Sequence, residues 1–554
     1  MENTMNRRLP ALLCAGLLAL VPAAPLSAQQ PGVAQLAALS GEEKLLPVLN
    51  GLRLVAVAPG STASRQTGVE IAPRLQAPEE ERLAARLRQS LGQPASLESL
   101  NRLVAAVRDH FRDTGYPFTL VTLPAQDITH GTVAILVQPS RLAQAPAVDG
   151  AEYFKVDAYR RAIRVQPGQT INAETLEADV ALLNANPYRD VRLVSSPGPE
   201  PATTALTLVT QEQRPYEFTL GVTTDVFDGE TSTILNGSAV FGNVLGTGDV
   251  LRYDLGADPD NSTSVSHTLT FDHFMRGGRR LQASAYYTEP RNEFAGVFRQ
   301  VQSTSRFGLT YHAPRPRTTA GERQDWYVGV EVAREEYELQ FAGIPVSRTD
   351  VDLVYLKAGW SRARRLEQGQ RSYGVDLLLS PGGLSGGNSD ARFDAARSGA
   401  TADYAILRPH FSQAMALPAV GTWSMSVRGQ IATGELLQSQ QFNAVSSNSV
   451  RLGDVSVYGD HGVAVQNTLT LSDWTVGSWR VTPQLMGDVA AVRWAGNISD
   501  GLRKTRLAVG LGAGITTDIA GRATLSLNAG RLWWQAPSET RSEFALSLSL
   551  NVGL

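Results

Sequence analysis

The sequence predicts a mainly β protein: a C-terminal transmembrane antiparallel β-barrel of about 16 strands, preceded by two small α/β domains. Three observations carry this. A period of two runs without a miss to the last residue, an export leader is followed by no spanning helix, and one small α/β plan is repeated in tandem.

The period of two comes first. Phe544, Leu546, Leu548, Leu550, Val552 and Leu554 fall on one side of the last strand, with Ala545, Ser547, Ser549, Asn551 and Gly553 on the other. Leu507, Val509, Leu511, Ala513 and Ile515 alternate with Arg506, Gly510, Gly512 and Gly514, and the pattern reaches back to about residue 215 with no helical segment between. Water-soluble β proteins rarely fill so long an inner row with Gly, Ser, Thr and Arg. A closed sheet with lipid outside and water inside accounts for both faces. Segments from Tyr216 to Leu554 number about sixteen, each near the ten residues a tilted strand needs to cross a bilayer. Long stretches at 381–402 and 434–462 interrupt them, and Gly382–Gly387 reads as a mobile outer loop. Trp326, Trp360, Trp423, Trp474, Trp479, Trp533 and Trp534 lie at or near strand ends in several cases, which suits an aromatic girdle with a few rings packed in loops.

Residues 1–28 read as a secretory signal peptide: Arg7 and Arg8, an apolar run from Leu9 to Pro22, and a small-residue cleavage site at Leu26-Ser27-Ala28. Cys14, the single cysteine, lies inside it, so the mature chain is expected to hold no disulfide and no cysteine-ligated metal. A net charge of −3 points to no nucleic acid or anionic surface as partner. Residues 29–50, with Val33, Leu36 and Leu39 at rough helical spacing, read as a lead-in.

Residues 51–143 form the first α/β unit: a strand at Leu52–Ala58, a helix at Glu80–Leu91, a second helix capped by Ser96, and strands at Phe118–Leu123 and Thr132–Gln138. Residues 144–214 repeat the plan, with a strand near Tyr153, a helix capped by Asn172, and strands at Val191–Ser195 and Ala205–Thr210. The barrel occupies 215–554.

On these residues the chain resembles the two-partner secretion outer-membrane transporters (the ShlB/FhaC/HecB type, in the superfamily of BamA), in which two periplasmic POTRA domains precede a barrel. Leu123-Pro124-Ala125-Gln126-Asp127-Ile128 with Gly131 is similar to the family's first-POTRA hairpin, Leu183-Asn184-Ala185-Asn186-Pro187-Tyr188-Arg189 to its second, and Gly242–Asp249 to its first barrel hairpin. The resemblance implies a long loop, here about 434–462, folded into the lumen and carrying a Val-Arg-Gly-Tyr tetrad. Val450-Arg451-Leu452-Gly453 and then Gly459-Asp460 stand in that order, with Leu452 and Gly453 replacing the Gly-Tyr pair. Val427-Arg428-Gly429 is a decoy, because its alternation puts Arg428 mid-strand facing the lumen.

A guanidinium in a constricted lumen needs a partner. By resemblance that partner is Asp488, which parity places on the inner face with Gln484. Arg451 and Asp488 are expected to lock the loop to the wall. The alternative is two ordinary lumen charges solvated by channel water.

The resemblance further implies an outer-membrane pore that binds an unfolded exoprotein (adhesin, haemolysin or toxin) through its POTRA domains and exports it without ATP. Phe118, Leu120, Thr122, Gln126 and Asp127 are the expected docking residues, by strand addition. Outer-membrane lipid and the barrel-assembly machinery are the other expected partners. In this family residues 29–50 could supply a plug helix. The alternative function is a barrel insertase of the BamA kind, which usually carries more POTRA units; a passive porin would not need periplasmic binding domains. No enzyme motif, metal-ligand cluster or cofactor loop is found. His267 and His273 flank Asp272 but share the opposite strand face, and Gly510, Gly512 and Gly514 alternate with apolar residues as small inward positions of a strand.

Overall fold

The computed structural model describes residues 44–58, 64–227, 230–259, 264–294, 297–315, 321–453, 455–477, 479–496 and 502–554. The predicted leader and residues 29–43 of the predicted lead-in lie outside the described residues. The chain forms two compact units that divide between Gln213 and Arg214.

The N-terminal unit holds two sheets. In the first, strands run in the order Gly68–Ile71, Gly51–Val55, Thr132–Gln138, Leu120–Thr122. Helices Glu80–Arg88 and Leu97–Asp113 pack against it. Ser96 caps the longer helix reciprocally: its hydroxyl accepts from the Ser99 N–H at 3.2 Å, and the Ser99 hydroxyl accepts from the Ser96 N–H at 2.9 Å. Such a box stabilises a helix start by about 1 kcal/mol. Leu100, Val104, Val107 and Phe111 then close over Leu52, Leu54, Ile135 and Val137. Two features differ from the sequence reading. Strand Gly68–Ile71 adds a parallel edge, and residues 44–50 belong to this domain, because Lys44–Leu46 pairs with Ala95–Ser96 and Leu46 and Leu49 are buried in its core.

In the second sheet, Thr203–Glu212 pairs antiparallel with Arg189–Pro197 on one side and parallel with Arg141–Leu142 and Ala147–Asp149 on the other. Buried Leu142 moves the start of this domain from 144 to about 141. The expected strand near Tyr153 lies at Ala147–Asp149 instead, and an additional helix, Val156–Ala162, follows. Asn172 caps helix Ala173–Leu183 through the Thr175 N–H at 3.0 Å.

The C-terminal unit is a closed antiparallel barrel. Among the described residues it has sixteen strands, counting Arg291–Phe294 and Trp474–Val476 as extensions of the strands before them. First and last strands are joined by an unbroken register of nine pairs, Thr219↔Gly553 to Phe227↔Ala545. Leu220, Leu485, Val489, Leu511, Phe544 and Leu548 are exposed on the outside, as lipid-facing residues must be. Trp326 and Trp360 meet across strands near the end where the chain enters, with ring centroids 6.1 Å apart, and Trp474 and Trp479 are exposed at that same end. Trp534 turns inward instead and packs against the folded loop.

Two strands exceed a bilayer's needs. Glu322–Phe341 has 20 residues and Ile344–Leu366 has 23, against 12 for Tyr216–Phe227. Their hairpin carries a register shift at Leu339/Gln340 and Pro345 near its tip. Bulges and prolines of this kind blunt an exposed strand edge.

The stretch 381–402 folds back onto the inner face of the barrel. Asn388, fully buried, donates to the Asp352 carbonyl at 2.9 Å, and helix Asp390–Ala396 drives Phe393 into the barrel. There Phe393 joins Val351, Leu353, Tyr404, Ile406 and Leu436 in one buried cluster. Glycines that look like a flexible linker are held because the next turn of chain has an apolar anchor.

Candidate functional site

The site is the loop 433–460, which connects strands Gly421–Ala432 and His461–Leu471 and folds back inside the barrel. Ala444, Val445, Val450 and Val457 of the loop pack on Ala464, Ala490, Val492, Ala508 and Leu532 of the wall. Each wall residue sits at an inward position of its strand.

Arg451 and Asp488 meet. Arg451 Nη2 donates to Asp488 Oδ1 at 2.7 Å and Nε to Oδ2 at 2.9 Å, a two-pronged pair, and the Arg451 N–H adds a third bond at 3.1 Å. The remaining donors reach the Thr468 hydroxyl at 2.8 Å and the Asn467 carbonyl at 2.9 Å. The Asp488 side chain is 1 % exposed. A carboxylate this buried carries a heavy desolvation cost, which only a fully bonded partner offsets.

The departure from the tetrad has a structural counterpart. A Cβ at Gly510 would stand 2.6 Å from a Val450 methyl, and one at Gly512 or Gly530 would stand 2.8 or 2.5 Å from a Leu452 methyl. These inward glycines are therefore a socket for Val450 and Leu452. Gly453 has φ +111°, a conformation that favours glycine, and touches Leu532.

Gly459 lies against the backbone of Arg493, where a Cβ would come within 2.8 Å of its nitrogen. Asp460, fully buried, accepts from Arg397 Nη1 at 2.5 Å and Nη2 at 3.0 Å, and from the N–H groups of Leu436 and Ala495 at 2.9 Å each. The sequence reading missed Arg397; no periodicity links it to a residue 63 positions away. Arg428 lines a polar cavity of about 580 Å³ between wall and loop, together with Asp376, Arg408, His410 and Gln441. It is not drawn to the loop arginine's site.

The expected docking residues divide. Leu120 is 39 % exposed on the edge strand Leu120–Thr122, and Phe118 and Thr122 are half-buried beside it. Gln126 is engaged inside the domain: its side chain accepts from the Ala134 N–H and donates to the Ala134 carbonyl, both at 2.6 Å. It thus continues the sheet past Thr122 in place of a backbone. Asp127 is likewise occupied. It accepts from the Thr129 N–H at 2.9 Å, which holds its carboxyl below the usual range.

Asn184 repeats Gln126's device in the second domain, exchanging bonds with both backbone groups of Val191 at 2.7 and 2.9 Å. Nearby, Arg189 donates to the Leu183 carbonyl and lies 4.8 Å from the Phe154 ring; burial pushes its guanidinium down. Burial and the Glu212 carboxylate push the Tyr159 hydroxyl up to about 12. The motif resemblance here reflects folding of the domain.

The histidines make structural contacts. Tyr253 bonds His267 at 2.8 Å on the outer face, and His273 pairs with buried Asp249 at 2.7 Å. Among the described residues no group of three or more His, Cys, Asp or Glu side chains could hold a metal ion.

Fold and site together define a class: an outer-membrane barrel transporter with a lumen-folded loop and small α/β domains ahead of it. Residues 203–517 match the family described as haemolysin secretion/activation protein ShlB/FhaC/HecB, and residues 67–140 match the ShlB-type POTRA domain. The chain belongs to that family of two-partner secretion transporters, set in the outer membrane with its POTRA domains in the periplasm. Over 175 residues it is 26% identical to the outer membrane transporter CdiB of Dickeya dadantii, a stretch spanning 31% of this chain and 30% of that protein. Two solved structures share the fold. CdiB from Escherichia coli matches with TM-score 0.69 at 17% identity, over 95% of this chain and 94% of that one. CdiB from Acinetobacter baumannii matches with TM-score 0.65 at 16% identity, over 93% and 91%.

Proposed function

We propose that this transporter binds an unfolded exoprotein in the periplasm, passes it through the barrel and releases it at the cell surface without ATP. The observation that carries this is the Arg451–Asp488 pair, which fixes a loop inside the barrel through one buried carboxylate. A porin has no use for periplasmic binding domains, and an insertase that opens sideways would have to part the nine-pair seam between first and last strands. Docking falls to the edge strand around Leu120, with Phe118 and Thr122, where an extended chain gains backbone bonds without strict sequence demands. Outer-membrane lipid surrounds the barrel, and the barrel-assembly machinery inserts it.

Two tests follow. Asp488→Arg or Arg451→Asp alone should impair export, measured as loss of large proteins from the culture medium, and the double reversal should partly restore it. Single reversals that leave export untouched would show the lock to be unnecessary. In the second, the full-length chain is cross-linked in the periplasm and its partners identified by mass spectrometry. One large exported protein supports the reading, whereas a mixture of barrel precursors would mean an insertase.

A further inference from the structure

The Arg451–Asp488 pair holds the loop tip against the wall. It does not account for Asp460, 28 residues before Asp488 in the chain and at the loop's other end. Asp460 accepts hydrogen bonds from three separate outer segments. Arg397 comes from the stretch 382–402, Leu436 N–H and the Gln441 amide from the loop 433–460, and Ala495 N–H from the segment after strand Trp479–Arg493. The side chain is 0 % exposed and that of Arg397 14 %.

Arg397 does more than neutralise Asp460. It also donates to the Leu436 carbonyl, approaches Glu435 at 3.7 Å and lies 4.7 Å from the Trp494 ring. The Trp494 ring nitrogen donates to the Tyr458 carbonyl at 2.9 Å, and Arg506 stands 5.3 Å from that ring. Backbone joins in as well, since Ala400 and Glu435 form a parallel β-bridge between the two folded segments. Beneath this polar layer lies the apolar cluster of Phe393, Leu436 and Leu437.

We infer that Asp460 and Arg397 form an outer latch: one buried carboxylate ties three outer segments across the far end of the lumen, closing it separately from the loop-tip lock. The inference rests on reading the barrel as an export channel. A buried carboxylate shared by three segments makes closure cooperative. Withdrawing any one segment strips the charge of part of its bonding, so the other two lose their reason to stay. Passage of a chain then requires the layer to open as a whole, while the Arg451 anchor answers to a different wall position and a different carboxylate.

The test uses the purified full-length protein in planar lipid bilayers, with potassium chloride current as the probe, so that no exported partner is needed. Arg397→Ala should raise the fraction of time spent open by about tenfold or more, as loss of a buried pair's partner predicts. The pair Ala400→Cys and Glu435→Cys, placed at the β-bridge in a chain whose only cysteine is Cys14, supplies a second arm if Arg397→Ala fails to fold. Oxidised, it should suppress openings; reduced, it should regain them. Current that is unchanged by Arg397→Ala, or the same in oxidised and reduced protein, overturns the latch. Reversal of Arg451 and Asp488 in the same assay reports on the lock alone, so the two can fail independently.

Discussion

The inner wall of the barrel is built in two ways. Over the first five strands, inward positions such as Gly221, Thr223 and Asp225 are half-exposed, and among the described residues no apolar side chain between Leu208 and Ala333 is buried. From Ala333 onward the inner wall carries Val351, Leu353, Tyr355, Tyr404, Ile406, Ala490, Val492 and Leu532, all buried. Strand geometry and period are the same in both regions. The difference lies in what touches the wall: folded segments of the chain pack on the second region, and none of the described segments packs on the first. An inner face is polar only where solvent wets it, and where loops dock it becomes an ordinary protein core.

Charge substitutions should separate the regions most. Asp488→Ala leaves the partly buried Arg451 without its carboxylate and should cost the loop about 3 kcal/mol of anchoring. Asp225→Ala, at a half-exposed inward position of the first region, should stay within about 0.5 kcal/mol. Hydrogen exchange at the Arg451 amide, whose N–H donates to Asp488, reads the first change directly. Equal effects at the two aspartates would erase the contrast.

A truncation comes next. Phe393→Ala removes a fully buried ring from the covered wall and should destabilise the segment 382–402 by about 3 kcal/mol. Limited proteolysis of intact cells should then cut there, and should not do so in the parent protein.

Smaller again is the socket. Gly512→Ala pushes a methyl into Leu452 and the Ala529 carbonyl, each at 2.8 Å, and should cost about 1–3 kcal/mol. Gly237→Ala, whose new methyl would meet nothing closer than 3.8 Å, should be close to neutral. Adding Leu452→Ala to Gly512→Ala should recover part of the loss, as read by thermal unfolding in detergent. Absence of recovery would place the strain in the wall backbone instead.

Strand parity explains how much of this was legible. A half-buried strand admits two orientations, and the lipid-facing leucines exclude one, so the inward place of Asp488 follows from Leu485 and Val489 alone. Arg451 is found by motif order. Phe393 is not, because the glycines at 382–387 advertise a loop, and nothing local says that Tyr404 and Leu436 wait beneath. The same signal was nonetheless present. Val351, Leu353 and Tyr355 are apolar on the face that a water-filled barrel should keep polar, and that anomaly marks where a loop lands. The bonds of Gln126 are not legible for another reason: a side chain that completes a sheet looks, in sequence, like any exposed amide.

The long hairpin formed by Glu322–Phe341 and Ile344–Leu366 has one more effect. Eight or more residues beyond the length of the first strand, at about 3.3 Å each and a tilt of about 40°, lift one side of the rim by roughly 20 Å. The outer opening is therefore shaped like the lip of a jug, high on one side and low on the other. Whatever leaves it is directed over the low side, across the last two strands and the seam they make with the first.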